Sequence, residues 1–229
     1  MTLPARPPRA VIWDMDGVIC DTGPYHYRSW RKVMAERGVT LTEECFRRGF
    51  GRRNDAIIRG LLGGEVPPEE IEKISRKKES FFRRIVRGRL EPLPGVLTLL
   101  DSLHNAGYRM ALASSAPLTN INLILRELGI AGFFEAVVSG EDVTEGKPSP
   151  QVFLLAAARL GVAPAGCLVI EDAVAGVTAA RRAGMLCLAV TNTHPAKRLA
   201  AARLVVSSLA EVGLADIEAI FEKSEGVAG

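Results

Sequence analysis

A short apolar run that ends in two acids places the strongest constraint on the fold of this 229-residue chain. Residues 11–13 are apolar and β-prone, and Asp14, Asp16 and Gly17 follow, a pattern that predicts a buried strand closed by a turn. The two acids would then lie at the carboxyl edge of a parallel sheet, where open α/β folds bind ligands. Carboxylates held close together repel, and both stay ionised only when a cation lies between them or one is protonated. The pattern therefore predicts a divalent cation with oxygen ligands, the kind of site that Mg²⁺ prefers.

The rest of the chain beyond residue 94 alternates between short apolar runs and helical patterns. Strands are predicted at residues 109–113, 136–139, 168–170, 186–190 and, at the sheet edge, 204–206. Helical patterns, most of them ending at glycine, separate these runs. The alternation predicts an α/β fold, a Rossmann-like three-layer core in which helices cover both faces of a parallel sheet.

Residues 24–91 contain successive helical patterns and no convincing strand. Helices are predicted at residues 24–36, from 42 onwards, at 54–62 and from 67 to about 88. We therefore expect two units. Residues 1–22 and 92–229 form the core, and residues 23–91 form a small α-helical cap domain inserted after the first strand.

Composition narrows the class of protein. Hydrophobic residues make up 48% of the chain, which is enough for a folded core and too much for a disordered chain. No apolar run approaches the length of about 20 residues that spans a bilayer. Residues 1–9 lack the apolar stretch of a signal peptide, so we expect a short tail and a cytoplasmic protein without a membrane partner. The cysteines are widely spaced, which favours free thiols over a metal site, and we expect a monomer or a weak homo-oligomer.

The net charge of +3 is unevenly distributed along the chain. Residues 24–91 contain 17 Lys and Arg against 10 Asp and Glu, and the rest of the chain contains 12 against 16. A basic segment that faces an acidic one suits an anionic substrate held near a metal, although solvated helix faces also explain most of these charges. Nucleic-acid binding would require exposed aromatic residues among the basic ones or a known motif. Neither is evident, so we expect no nucleic-acid partner.

Three more sites in the chain carry polar side chains between a predicted strand and the next helix. Ser114 and Ser115 follow one strand, where a hydroxyl at a helix N-terminus can bind phosphate or simply cap the helix. Lys147 precedes another helix, where it could meet a phosphate together with the first acid or be an exposed loop lysine. Glu171 and Asp172 follow a third strand and supply more oxygen ligands, although Asp172 could also be a helix cap.

Taken together, these motifs resemble those of the haloacid dehalogenase-like hydrolases, in the branch of phosphatases and β-phosphoglucomutases that carries a helical cap after the first strand. The likeness extends from residue 11 to about residue 194. The matching motifs are Asp14-Met-Asp16-Gly-Val, Ala113-Ser114-Ser115, Gly146-Lys147-Pro148 and Glu171-Asp172.

The resemblance implies a role for each catalytic residue. Asp14 is the nucleophile that takes up the phosphoryl group, and Asp16 protonates the leaving oxygen and then deprotonates the attacking water. Ser114 and Lys147 hold the phosphoryl oxygens. Dehalogenases and phosphonate hydrolases of this superfamily lack the second acid of the first motif, so Asp16 favours phosphate-ester chemistry.

The resemblance also implies a Mg²⁺ cofactor. Asp14, the backbone carbonyl of Asp16, and Asp172 would be its ligands, with Glu171 in or near the coordination shell. A carboxylate approaches a dianionic phosphate only when positive charge neutralises the repulsion between them.

The predicted cap is similar to a β-phosphoglucomutase cap at three positions. His26 and Trp30 match residues of the first cap helix, and Lys78 matches a lysine that contacts substrate there. His26 has an alternative explanation, a helix-face histidine that packs on Trp30.

The chain departs from the mutase pattern at the positions that grip a second phosphate. Asn54, with Arg53 beside it, aligns with a cap arginine of the mutase. Ser115 is followed by Ala116 and Pro117, where the mutase has a serine and a lysine. These losses disfavour a bisphosphate intermediate, because a buried dianion needs cationic partners.

We therefore interpret the chain as a Mg²⁺-dependent phosphatase that acts on a small phosphorylated metabolite, with sugar phosphates as the first candidates. A β-phosphoglucomutase is the alternative, and a non-catalytic phosphometabolite-binding protein is the third reading. The candidate substrate contacts are His26, Trp30, Arg53, Asn54, Lys78 and Ser115.

Overall fold

A six-stranded parallel sheet lies at the centre of the structure, a computed structural model that describes residues 8–225. Its strands are β1 (Ala10–Trp13), β2 (Arg109–Ala113), β3 (Ala136–Val138), β4 (Cys167–Glu171), β5 (Leu186–Val190) and β6 (Leu204–Val206). Their order is β3-β2-β1-β4-β5-β6, and every neighbouring pair is parallel. The first strand is therefore central, between β2 and β4. Residues 1–7 of the expected N-terminal tail lie outside the described residues.

In residues 8–225, ten α-helices surround or extend this sheet. They are α1 (Gly23–Ala35), α2 (Glu43–Gly49), α3 (Asn54–Leu62), α4 (Pro68–Val86), α5 (Val96–Asn105), α6 (Leu118–Glu127), α7 (Gln151–Leu160), α8 (Val174–Arg182), α9 (Ala196–Leu199) and α10 (Leu214–Glu225). The predicted helices and strands are present, with ends displaced by one or two residues. The short α9 was not predicted, because four residues are too few to give a helical period.

The two faces of the sheet belong to separate apolar clusters. Val11 and Trp13 pack in one cluster together with residues of α5, α6 and α10, whereas Ala10 and Ile12 pack in the other with residues of α7 and α8. This division follows from the strand period, because successive side chains point to opposite faces. Helices therefore cover both faces, which confirms the predicted α/β class with three layers.

The helical insertion has an apolar cluster of its own. Helices α1 to α4 lie between β1 and α5 in the chain, and their cluster includes Trp30, Met34, Ile58 and Ile74. The two connections to the core lie side by side, because the Leu93 amide donates to the carbonyl of Ile19 at 2.8 Å. These contacts support a separate cap, and the division at residues 22/23 and 91/92 stays a prediction.

Helix α4 links the cap to the core. Its Ile74 packs in the cap cluster, whereas Phe82 and Val86, further along the same helix, pack in the core cluster. Among the described residues, no helix is both long enough and apolar enough to span a membrane.

Candidate active site

Four of the predicted polar residues meet at the carboxyl edge of the sheet. Asp14 directly follows β1, and its amide donates to the carbonyl of Ile170 in the neighbouring strand at 3.0 Å. Glu171 is the last residue of β4 and Asp172 follows it. Lys147 comes from the loop before α7. Because β1 pairs with β4, residues far apart in the chain come together at this edge.

Lys147 is a buried cation between two acids. Its Nζ lies 2.5 Å from Asp14 Oδ1 and 2.7 Å from Glu171 Oε1, and only 4% of the residue is exposed. The ring of Phe153 lies 4.8 Å from the same atom. A buried charge is costly unless it is paired, so Lys147 has the environment of a site residue, and the exposed-loop interpretation is wrong.

The acidic residues form a group that a divalent cation fits. One carboxylate oxygen each from Asp14, Glu171 and Asp172 lies within 4.8 Å of the others, and all three residues are buried. Burial, reinforced by Glu171 and Asp16, raises the pKa of Asp14 to about 7 even though Lys147 opposes the shift. Burial, reinforced by Glu171 and Asp14, also raises the pKa of Asp172 well above its ordinary value. A small cation with a preference for oxygen ligands would relieve this repulsion.

Glu171 is the most fully hydrogen-bonded acid of this group. One of its oxygens accepts from Lys147, and the other accepts from the backbone amides of Asp172 and Ala173, both at 2.7 Å. A side chain at Gly176 would overlap it, since a Cβ built there lies 1.7 Å from Glu171 Oε1. The protein therefore fixes the orientation of Glu171 closely.

Gly17 allows Asp172 to approach the first motif. Its backbone has a φ of +85°, and a Cβ at this position would lie 2.0 Å from Asp172 Oδ2. The left-handed conformation and the close approach both require glycine. Asp172 also accepts a hydrogen bond from the hydroxyl of Thr193.

Asp16 lies apart from the acidic group and faces the cap. Its Oδ1 accepts from the hydroxyl of Thr22 at 2.5 Å and lies 3.4 Å from His26 Nε2. Thr22 precedes α1 but its side chain makes no capping bond there, so its hydroxyl serves Asp16 instead. Burial raises the pKa of Asp16, but the hydrogen bond from His26, together with the hydroxyl of Thr22, outweighs burial and lowers the pKa overall.

His26 connects Asp16 to Lys78. The Lys78 ammonium donates to His26 Nδ1 at 2.7 Å. Because an ammonium group only donates, the proton of a neutral His26 is on Nε2, which faces Asp16. The imidazole stacks on Phe82 with a centroid distance of 4.0 Å. The ring on which His26 stacks is therefore Phe82 rather than Trp30, and it is Lys78 Nζ that lies over the Trp30 ring, at 5.1 Å.

A small cavity joins the cap residues to the core acids. Its volume is about 30 Å³, which is room for one or two water molecules. A phosphate ester is larger than this space, so we expect the cap to move when a substrate binds. The predicted site residues that line it are Asp14, Asp16, His26, Trp30, Asn54, Lys78 and Ser115.

Ser114 and Arg53 are predicted site residues that do not line this cavity, and neither do Lys147, Glu171 and Asp172. Ser114 is fully buried, and its Oγ accepts from the amide of Ala116 at 3.1 Å, which leaves its hydroxyl hydrogen free to donate elsewhere. Arg53 instead donates to the carbonyl of Val143 and lies 3.4 Å from Asp55. Asn54, rather than Arg53, therefore occupies the position over the inner cavity.

The sequence analysis missed Glu79, which also lines the cavity. Glu79 is 4% exposed and accepts hydrogen bonds from Lys78, Asn54 and Asn120. A signal was present in α4, whose buried face includes Ile74 and Phe82 as well as the adjacent charged pair Lys78 and Glu79. Charged residues on the apolar stripe of a helix indicate a buried polar site.

Known proteins with two related activities are similar to this chain. A sequence profile of haloacid dehalogenase-like hydrolases matches residues 8–184. The β-phosphoglucomutase of Bacillus subtilis (strain 168) is 35% identical over 214 residues, which cover 90% of this chain and 92% of that protein. A phosphorylated carbohydrates phosphatase of Thermotoga maritima is 33% identical over 176 residues, covering 77% and 82%. The crystal structure of β-phosphoglucomutase from Clostridium difficile superposes with a TM-score of 0.87 at 28% identity, covering 95% of this chain and 98% of that one.

We expect Mg²⁺ to stabilise the protein through the acidic group. At a Mg²⁺ concentration ten times the Kd, binding adds about 1.4 kcal/mol to the free energy of unfolding, which raises the Tm by about 3–5 °C. Asp172→Asn removes one charged ligand and should abolish most of this rise. The measurement is thermal unfolding by circular dichroism in EDTA and in Mg²⁺.

Asp101→Asn is the matched control, because it makes the same chemical change at an exposed position of α5. It should keep the full response to Mg²⁺. An equal response in the Asp172 and Asp101 variants would place the metal elsewhere.

Gly17→Ala should be more destabilising than Gly38→Ala. Both glycines have a left-handed φ, but a Cβ at Gly38 has no atom within 4 Å, whereas one at Gly17 meets Asp172. Gly38→Ala should cost about 1 kcal/mol through backbone strain alone, and Gly17→Ala should cost about 2 kcal/mol more through overlap. Urea denaturation measures the difference, and equal losses would mean that the overlap with Asp172 relaxes freely.

Proposed function

This chain belongs to the haloacid dehalogenase-like hydrolases and is an enzyme, and we propose that it is a Mg²⁺-dependent phosphatase of small phosphate monoesters, with sugar phosphates as its first candidate substrates. The observation that carries the proposal is the arrangement around Asp14. A buried carboxylate is paired with Lys147, lies beside Glu171 and Asp172, and shares one cavity with Asp16. This arrangement provides a nucleophile, a cation and a separate acid–base group at one place.

Asp14 acts as the nucleophile. One of its oxygens attacks phosphorus, the bond to the alcohol oxygen breaks, and an aspartyl phosphate forms. Lys147, 2.5 Å from Asp14, offsets the negative charge of the incoming phosphoryl group and orients the carboxylate. Ser114 donates its remaining hydroxyl hydrogen to a phosphoryl oxygen.

Asp16 acts as the acid and then as the base. It gives its proton to the leaving alkoxide, which departs as an alcohol. It then takes a proton from the water that attacks the aspartyl phosphate, so that inorganic phosphate and free Asp14 result. The charge of a bound phosphate raises the pKa of Asp16 and favours its protonated form before the first step. Thr22 and His26 hold its carboxyl group in position.

The acidic group is where the metal would bind. Asp14, Asp172 and the backbone carbonyl of Asp16 would hold Mg²⁺, with Glu171 beside them. When bound, Mg²⁺ supplies the positive charge that lets a carboxylate approach a phosphate dianion. The raised pKa of Asp14 supports this assignment, because a cation would favour its ionised, nucleophilic form.

The cap side chains favour water over a second sugar as the acceptor. Asn54 lines the inner cavity where an arginine would grip a second phosphate, and Arg53 is engaged with Val143 outside it. Ala116 and Pro117 follow Ser115 in the loop on the opposite side. A phosphatase needs no second phosphate site, and a mutase with a bisphosphate intermediate does.

A β-phosphoglucomutase is the second candidate. His26 contacts both Lys78 and Asp16, and His26 and Lys78 are two of the positions at which the cap is similar to that of the mutases. The B. subtilis relative, 35% identical over 90% of this chain, gives this reading independent support. Both candidates use the same first step at Asp14 and differ in the group that accepts the phosphoryl group.

The reaction is proposed to take place in the cytosol on a small phosphorylated metabolite. The 4 cysteines are unpaired, three of them buried, which suits a reducing compartment. A basic cap over an acidic core edge suits an anionic ligand.

The purified protein should release inorganic phosphate from sugar phosphates only when Mg²⁺ is present. Asp14→Asn keeps the shape of the side chain but removes the nucleophile, so kcat/KM should fall by about 10³-fold or more. A phosphate-release assay over a panel of sugar monophosphates, with and without EDTA, measures both effects. Asp21→Asn, an exposed carboxylate in the following loop, should retain activity. Undiminished turnover in Asp14→Asn would contradict the mechanism.

Free phosphate should be the product from β-glucose 1-phosphate in the presence of glucose 1,6-bisphosphate. The expected reason is that the cap offers Asn54 rather than an arginine for a second phosphate. Coupled detection of glucose 6-phosphate, run beside phosphate release on the same sample, distinguishes the two products. Glucose 6-phosphate formed faster than phosphate would make the mutase the correct reading.

A further inference from the structure

A buried carboxylate occupies the cap side of the active-site cavity. Glu79 and Lys78 are neighbours on α4 and line the same cavity as Asp14 and Asp16. Glu79 is 4% exposed, and its oxygen Oε1 lies 2.7 Å from Lys78 Nζ. Burial raises the pKa of Glu79, but the charge of Lys78 and the hydrogen bonds from Lys78 and Asn54 outweigh burial and lower the pKa overall, so the group is ionised at neutral pH.

Three donors fix the position of this carboxylate. Besides Lys78, the side-chain amides of Asn54 and Asn120 donate to Glu79 at 2.8 and 2.6 Å. The guanidinium of Arg83 donates to Asn120 Oδ1 at 2.9 Å, which turns the NH₂ group of Asn120 towards Glu79. Asn120 belongs to core helix α6, whereas the other partners belong to the cap, so Glu79 also joins the two units.

This arrangement neutralises the cation that a second phosphate would need. Lys78 is the buried cation on the cap side of the cavity, and its charge is matched by Glu79 in direct contact. Of the remaining described residues that line the cavity, Arg52 is the other cation, and it is exposed. A second dianion held beside Glu79 would meet a fixed negative charge in a site with little solvent to screen it.

A hydroxyl group, unlike a second phosphate, is favoured beside Glu79. A sugar hydroxyl donates to carboxylate and amide oxygens and carries no charge that Glu79 repels.

We propose that Glu79 determines the substrate class of this site by charge. Phosphate monoesters with an uncharged, hydroxylated alcohol part are accepted, and esters with a second phosphate on the same skeleton are rejected. This inference rests on the proposed phosphatase function and goes beyond it, because it assigns the discrimination to one residue that touches none of the reacting groups.

The test compares substrates that differ only in the second phosphate. Glucose 6-phosphate is paired with glucose 1,6-bisphosphate, and fructose 1-phosphate with fructose 1,6-bisphosphate. For at least one pair, the wild-type kcat/KM for the monophosphate should exceed that for the bisphosphate by about tenfold or more. Glu79→Gln should reduce this ratio by about tenfold, mainly through a lower KM for the bisphosphate, because Lys78 then has no carboxylate partner.

Two control variants separate charge from structure. Glu79→Asp keeps the charge and should keep the wild-type preference. Asn120→Ala removes the hydrogen bond that joins Glu79 to the core but leaves the carboxylate in place. It should lower the turnover of both members of a pair alike, so that their ratio is unchanged.

Each outcome has a separate meaning. If the wild-type protein releases no phosphate from any ester, the proposed function itself is contradicted. A wild-type protein that hydrolyses bisphosphates as efficiently as monophosphates overturns the inference about Glu79 but not the proposed function. This comparison uses the wild-type protein only, so it remains decisive if Glu79→Gln does not fold. A wild-type preference that persists in folded Glu79→Gln also overturns it.

Discussion

The ion pair between Lys147 and Asp14, buried at the carboxyl edge of the sheet, is the interaction on which the rest of the site depends. It brings one cation against two acids, and a third acid, Asp172, lies close by. Burial makes every charge in this group costly unless it has a partner. The group is therefore short of positive charge, which a divalent cation with oxygen ligands would supply.

The cap adds a second set of charges with different chemistry. Asp16, His26, Lys78 and Glu79 form a connected series of polar contacts that runs from the first motif into α4. Asn120 then carries the series back into the core. Because the series crosses from core to cap and back, opening of the cap would change the surroundings of Asp16. The small size of the cavity, about 30 Å³, is the reason to expect such opening when a substrate enters.

Phosphatases and phosphomutases share the first chemical step, so the core of this protein is compatible with either. The difference lies in whether the cap can hold a second anion while the aspartyl phosphate persists. Here the inner position is occupied by Asn54, and the buried lysine is neutralised by a carboxylate. We therefore propose that a few cap side chains, rather than the catalytic acids, decide the acceptor and the substrate class.

The sequence by itself determined the α/β core, the helical insertion and the meeting of Asp14, Glu171 and Asp172. These follow from local apolar runs and from the rule that parallel strands place their carboxyl ends at one edge. Only the tertiary structure decided which cap residues face the cavity. Glu79 and Asn120 are 41 residues apart in the chain and meet between the cap and the core. The ring that His26 stacks on is Phe82 of another helix, not the neighbouring Trp30. Such contacts depend on how separate helices pack against one another, and no local pattern of residues specifies that packing.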